Sequence, residues 1–224
     1  FCVIELSGGR KIEIHSLRFC SIVDDEIGVI KYAVKPLNFS ASFSFTLSVD
    51  ADVKNADANY EEKFWTAVHQ EANNGNAFVI AETAKTNFRV CTAMHGFIEE
   101  NGQLMEVIPE ITAQEKYAAN IFVIEAKEGN IYTVYKTAVI LSSENHPADK
   151  LLEDSHAALE QAVSNGFDKL LEEQKNAWQK KWDVMDIEIE DDIAAQQGIR
   201  FNIFQLHQTY TGEDERLNIG PKGF

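Results

Sequence analysis

Strict alternation constrains this chain more than any other feature. From Ala41 the sequence reads ASFSFTLSVDADV, with Phe43, Phe45, Leu47 and Val49 at every second position and mostly serine or threonine between them. Successive side chains of an extended strand point to opposite faces, so this stretch carries one apolar and one hydroxyl-bearing face. A helix, with its period of 3.6, cannot segregate such a pattern. Looser versions recur across residues 1–146: CVIEL, KIEIHSLRFCSIV, IGVIKYAVKPL, AFVIAETA, FRVCTAMHGFI, LMEVI, YAANIFVIEA and YTVYKTAVILS. Turn signals punctuate them at Ser7-Gly8-Gly9, Asn73-Asn74-Gly75-Asn76, Glu100-Asn101-Gly102 and Glu128-Gly129-Asn130. Many short strands at this spacing predict a mainly β fold, an antiparallel two-layer sandwich.

The period changes near His146-Pro147. Leu151, Leu152, His156, Leu159 and Val163, then Phe167, Leu170, Leu171 and Trp178, recur at helical spacing on either side of Asn165-Gly166. Both Asn and Gly tolerate positive φ at a helix C-terminus, so the reading is two linker helices over residues 147–190, ending in a short extended piece at 182–190. Asp191 or Asp192 then caps a helix starting near Ile193. That helix carries Ile199, Phe201, Ile203, Phe204 and Leu206 on more than one side. A lone surface helix is not so apolar, and the expectation is a neighbour such as a second copy of the chain.

Composition excludes some function classes. The chain of 224 residues is 45% hydrophobic with 14 Phe, enough for a real core, and its formal net charge is −16. A phosphate backbone would be repelled, so no nucleic-acid partner is expected. Cys2, Cys20 and Cys91 are odd in number and widely spaced, giving neither a disulfide framework nor a metal-binding pair. No stretch reaches the ~18 apolar residues of a membrane helix. No membrane partner and a cytoplasmic location are the expectation.

Few residues suggest chemistry. Asp24-Asp25-Glu26 and Glu61-Glu62 are adjacent acids of the kind usually found on solvated loops. The six histidines show no HxH or HExxH spacing, so no metal site is expected, and His207 reads as a hydrogen-bonded core or interface residue. Ser7-Gly8-Gly9-Arg10 lacks the strand–loop–helix setting of a phosphate cradle, and no GxSxG is present. The loop 57–65 brings Asn59, Tyr60, Phe64 and Trp65 together. Tyr60 and Trp65 suit either stacking on a sugar face or packing at an interface.

Longer motifs carry a resemblance. QQGIRFNIFQLHQTYTGEDERLNIGPKGF, at residues 196–224, resembles the opening of the catalytic domain in glycoside hydrolase family 65, and its NIGPKGF ending matches the maltose-phosphorylase branch better than the trehalose or kojibiose branches. DADVKNADANYEEKFW (50–65) is similar to a loop of that family's N-terminal sandwich, and EEQKNAWQKKWDVMDIEIEDD (172–192) to its helical linker. The resemblance implies an antiparallel β-super-sandwich, linker helices and an (α/α)6 barrel. Residues 1–146 would be part of the sandwich domain, 147–190 the linker and 191–224 the truncated start of the catalytic domain. The first strands and most of the barrel would lie outside the chain. The implied reaction is inverting phosphorolysis of maltose or a related α-glucosyl disaccharide to glucose and β-glucose 1-phosphate, with a Glu as general acid and inorganic phosphate as co-substrate. No further cofactor is implied, and family members are commonly homodimers. No catalytic residue in this chain matches the family's. Asn218 and Lys222 precede a segment that lines the glucose subsite and are candidates for contact with substrate. The rivals are another family 65 enzyme, acting on kojibiose, nigerose or trehalose, and a non-enzymatic carbohydrate-binding sandwich.

Overall fold

A computed structural model describes residues 1–54, 63–209, 212 and 214–216. The chain divides into two compact units, Phe1–Glu172 and Glu173–Phe224. In the first unit the described strands are β1 (Cys2–Glu5), β2 (Lys11–Cys20), β3 (Ile27–Pro36), β4 (Ala41–Asp50), β5 (Trp65–Asn73), β6 (Asn76–Thr83), β7 (Arg89–Glu100), β8 (Gln103–Leu104), β9 (Glu110–Gln114), β10 (Tyr117–Ala126) and β11 (Tyr132–Ser142). They form two antiparallel sheets. The larger runs β1-β2-β3-β11-β7-β6-β5 with β8 on β7, and the smaller runs β4-β10-β9.

The alternation of β4 is realised as expected. Leu47 and Val49 are buried between the sheets, Phe43 and Phe45 pack against the same cluster, and Met94, Ile98, Phe122 and Tyr132 meet them there. Strand β6 behaves differently. Ala77, Phe78, Val79, Ile80 and Ala81 are all buried, because Ala77 and Val79 face the small sheet's cluster while Phe78 and Ile80 belong to a second one. A continuous apolar run is the mark of a strand covered on both faces.

Helix α1 (Leu151–Met185) provides the second cover. Its Leu151, Leu159, Ala162 and Leu170 are buried with Val29, Phe78, Ile80, Cys91 and Val139. The first unit is therefore three layers, small sheet, large sheet and helix, rather than the two expected from strands alone. Each buried leucine of this layer contributes roughly 1.5–3 kcal/mol through removal of apolar area from water. The helix is interrupted where Asn165-Gly166 predicted: Gly166 has φ 73° and ψ 160°, a backbone conformation closed to side chains with a Cβ.

Three local expectations are corrected. LMEVI is not a strand beyond Leu104, since Met105 and Val107 turn in against the core between the sheets. Glu110–Gln114 is, like Trp65–Asn73, a strand that alternation did not disclose. Its hairpin to β10 turns through Lys116 at φ 62°, without the glycine that would have signalled it. The extended piece begins later than 182, because the helix continues through Trp182 to Met185 and Trp178 and Trp182 lie one turn apart with ring centroids at 6.5 Å.

In the second unit, helix α2 (Ile193–Thr209) begins where expected. Asp192 caps it, its Oδ1 accepting from the Ala195 amide at 2.9 Å. The Gln196 side chain holds the preceding extended residues, accepting from Ile189 N at 2.6 Å and donating to Ile187 O at 2.8 Å. Arg200 donates from Nε and Nη2 to the two oxygens of Asp186 at 2.9 and 2.5 Å. Phe204 lies against Trp178 with ring centroids 4.9 Å apart, while Phe201 and Leu206 are 59% and 71% exposed.

Candidate functional site

A polar arrangement in the first unit that ties both sheets together grows from the Asn73-Asn74-Gly75-Asn76 turn between β5 and β6. Gly75 has φ 84°, and a Cβ there would lie 2.9 Å from Gly96 O, so only glycine fits. The Gly96 amide donates to Gly75 O at 2.8 Å. From the small sheet, the fully buried side chain of Asn120 reaches the same turn. It accepts from Gly75 N at 3.0 Å and donates to Asn76 O at 2.8 Å. One buried amide thus ties both sheets to the turn, and both its halves are satisfied.

The turn also fixes an imidazole. Asn76 Nδ2 donates to Asn73 Oδ1 at 3.1 Å, which orients Asn76 Oδ1 as acceptor toward His95 Nδ1 at 2.8 Å. His95 therefore carries its proton on Nδ1 and a lone pair on Nε2. Burial lowers its pKa below the ordinary value, which favours this neutral form. A cleft of about 660 Å³ opens beside it, lined by Asn74, His95, Phe97, Glu99, Met105 and Phe122 among others. On β7 and β11, Phe97 and Tyr135 stack at 4.8 Å with 15° between planes.

Of the residues proposed from sequence, Tyr60, Asn218 and Lys222 lie outside the described residues, as do Asn59 and the Glu61-Glu62 pair. Trp65 is described. It opens β5 opposite Thr83, half-buried, with its ring tilted against Phe88 at 6.4 Å. Sequence reasoning passed over His95 and Asn120. The Asn-rich turn was visible as a turn, but the partners 19 and 44 residues away from Asn76 were not.

A general acid for glycoside chemistry needs a carboxyl held protonated near neutrality. The described carboxyl groups with a clear shift all move the other way. Hydrogen bonds from Lys63 and Lys116 hold Asp52 low. The Tyr132 hydroxyl and Asn130 amide do so for Glu100, each at 2.8 Å. Arg200 lowers Asp186, and Arg216 takes Asp214 to about 2. Among the described residues no three His, Cys, Asp or Glu side chains gather as a metal-binding group, and no helix is long and apolar enough to cross a membrane.

Comparison with known proteins adds the following. The family described as Glycosyl hydrolase family 65, N-terminal domain, matches residues 2–181. The chain is 32% identical to a maltose phosphorylase of Bacillus subtilis (strain 168) over 96% of its own length and 28% of the relative's. It is 27% identical to an alpha,alpha-trehalose phosphorylase of Thermoanaerobacter brockii, over 96% of this chain and 28% of that one. A kojibiose phosphorylase of Caldanaerobacter subterraneus subsp. tengcongensis is 26% identical, over 99% of this chain and 30% of its own. In structure the chain superposes on a putative kojibiose phosphorylase from human microbiome with a TM-score of 0.85, at 18% identity, covering 97% of this chain and 28% of that one. The chain thus spans less than a third of the length of these relatives.

Proposed function

The chain belongs to glycosyl hydrolase family 65 through the N-terminal domain of that family, and from this premise we propose that its parent enzyme is an inverting disaccharide phosphorylase acting on maltose. The observation that carries the reading is the 32% identity to a maltose phosphorylase along nearly the whole chain, against 27% and 26% for the trehalose and kojibiose enzymes. In this reading inorganic phosphate attacks the anomeric carbon of the α-linked glucosyl unit. A glutamic acid protonates the departing glycosidic oxygen, and β-glucose 1-phosphate and glucose leave. Phosphate arrives already anionic, so no carboxylate base is required where an inverting hydrolase would activate water.

We place the general acid and the phosphate-binding groups outside these residues. The lowered carboxyl groups described above support that placement, since each is held ionised by its partners. Residues 1–146 then serve the sandwich domain, 147–190 the linker and 191–224 the start of the catalytic barrel, with Asn218 and Lys222 near the glucose subsite. The parent works as a cytoplasmic homodimer. Three widely spaced cysteines with no disulfide framework suit a reducing compartment.

The test is substrate choice by the parent enzyme. With phosphate present, glucose release should be fastest from maltose when maltose, trehalose, kojibiose and nigerose are compared at equal concentration. Preference for one of the other three would keep the family and overturn the substrate. No phosphate-dependent release from any would favour a non-catalytic, carbohydrate-binding role.

A further inference from the structure

A second cleft, of about 410 Å³, lies in the first unit between β6, β7 and the first half of α1. Its polar lining presents acceptors. His95 points one ring nitrogen at Asn76 as donor, which leaves the Nε2 lone pair unmatched among the described residues. Ser164 gives its own proton to Gln161 O at 2.8 Å and retains its lone pairs. Glu160 is exposed and has neither hydrogen bond nor ion pair among the described residues. The remaining lining is apolar or aromatic. Leu159 and Val163 come from α1, and the His156 ring lies over Phe78 at 4.0 Å and 32°, its Nε2 engaged with Glu71 Oε1 at 2.9 Å.

Acceptors over an aromatic and aliphatic floor complement a ligand with many O–H donors and one apolar ring face. We propose that this cleft binds one ring of a neutral sugar, with hydroxyl groups donating to His95 Nε2 and Glu160 and the ring face lying over His156. An anion is disfavoured by the Glu160 carboxylate and by the net charge of −16. The volume lies at the lower end of small-ligand pockets and suits a single ring rather than a chain. The assignment rests on the lining alone and does not depend on which reaction the parent performs.

The experiment is titration of the ¹⁵N-labelled 224-residue chain with glucose and with maltose, without phosphate, followed by NMR. Saturable shifts at His95, His156 and Glu160, with a dissociation constant on the order of 1 mM, are the expected result. Glu160→Ala, at an exposed position, should weaken binding about tenfold by removing a charged acceptor. Shifts that fail to saturate, that map elsewhere, or that persist unchanged in Glu160→Ala would overturn the site. So would tetramethylammonium binding at the same residues while sugars do not, because the cleft would then be a cation site. Phosphorolysis by the parent is measured separately, so either reading can fail without the other.

Discussion

His146 shows how much single residues decide in this fold. It follows β11 and stands between Glu26, in the β2–β3 connection, and Asp154, in the first turn of α1. Its Nε2 lies 2.9 Å from Glu26 Oε1 and its Nδ1 3.2 Å from Asp154 Oδ2. Burial disfavours the charged ring, but the two carboxylates together outweigh it and raise the pKa above 6.5. A raised histidine pKa adds stability that is complete below about 6.5 and fades as pH climbs through the folded value. The thermal midpoint should therefore fall across that upper window in the native chain, and more gently in His146→Gln. Parallel curves for the two would show that the clasp contributes nothing. Gly75→Ala is the second test at this scale. It forces φ 84° and a 2.9 Å contact with Gly96 O on a residue with a Cβ, and should cost about 1–3 kcal/mol by denaturant unfolding. Neither feature was legible in sequence. Glu26 looked like one of three solvated acids, and its partner lies 120 residues away. The Gly75 turn was recognised, but not the close approach of Gly96 that makes glycine obligatory.

Among the elements, strands with an alternating or continuously apolar run were the legible ones. Strand β4 declares itself because alternation and burial coincide. The short β9 does not, since neither its composition nor its turn departs from loop-like sequence. Helix α1 was legible as a helix, with its break at Gly166, but its first half looked like a connector. The burial of Leu151, Leu159, Ala162 and Leu170 on the large sheet makes that half part of the core. Leu159→Ala should accordingly destabilise the chain by about 2–5 kcal/mol, as core leucines do. A change below half a kcal/mol would contradict that packing. Helix α2 poses the opposite case. Its apolar surface was readable in part: of the residues named from sequence Phe201 and Leu206 are exposed in this chain, and so is Ile193. Such a surface should associate. Sedimentation of the chain should show self-association that Phe201→Glu reduces, whereas a strict monomer at high concentration would speak against a second copy as its cover.

For the whole molecule, patterning carried the fold class and the longer motifs carried the family, while the net charge of −16 was the ground for expecting no nucleic-acid partner. The candidate clefts escaped because each joins neighbouring strands to a segment distant in sequence, α1 for one and residues 104–108 for the other. His95 meets Asn76 across the β6–β7 ladder, and Asn120 reaches the same turn from the other sheet. Alternation says which side chains share a face, but not which strands become neighbours. Catalysis by the parent then depends on parts this chain does not supply in the proposed account. Removing a proton donor alone typically costs ~10²–10⁴-fold in rate, so the isolated 224 residues should leave maltose intact. The most direct measurement is to incubate the parent enzyme with maltose and inorganic phosphate and follow the products by NMR. The account predicts equal amounts of glucose and glucose 1-phosphate, the latter as the β-anomer, strictly dependent on phosphate. Glucose formed equally well without phosphate, or glucose 1-phosphate appearing as the α-anomer, would contradict it.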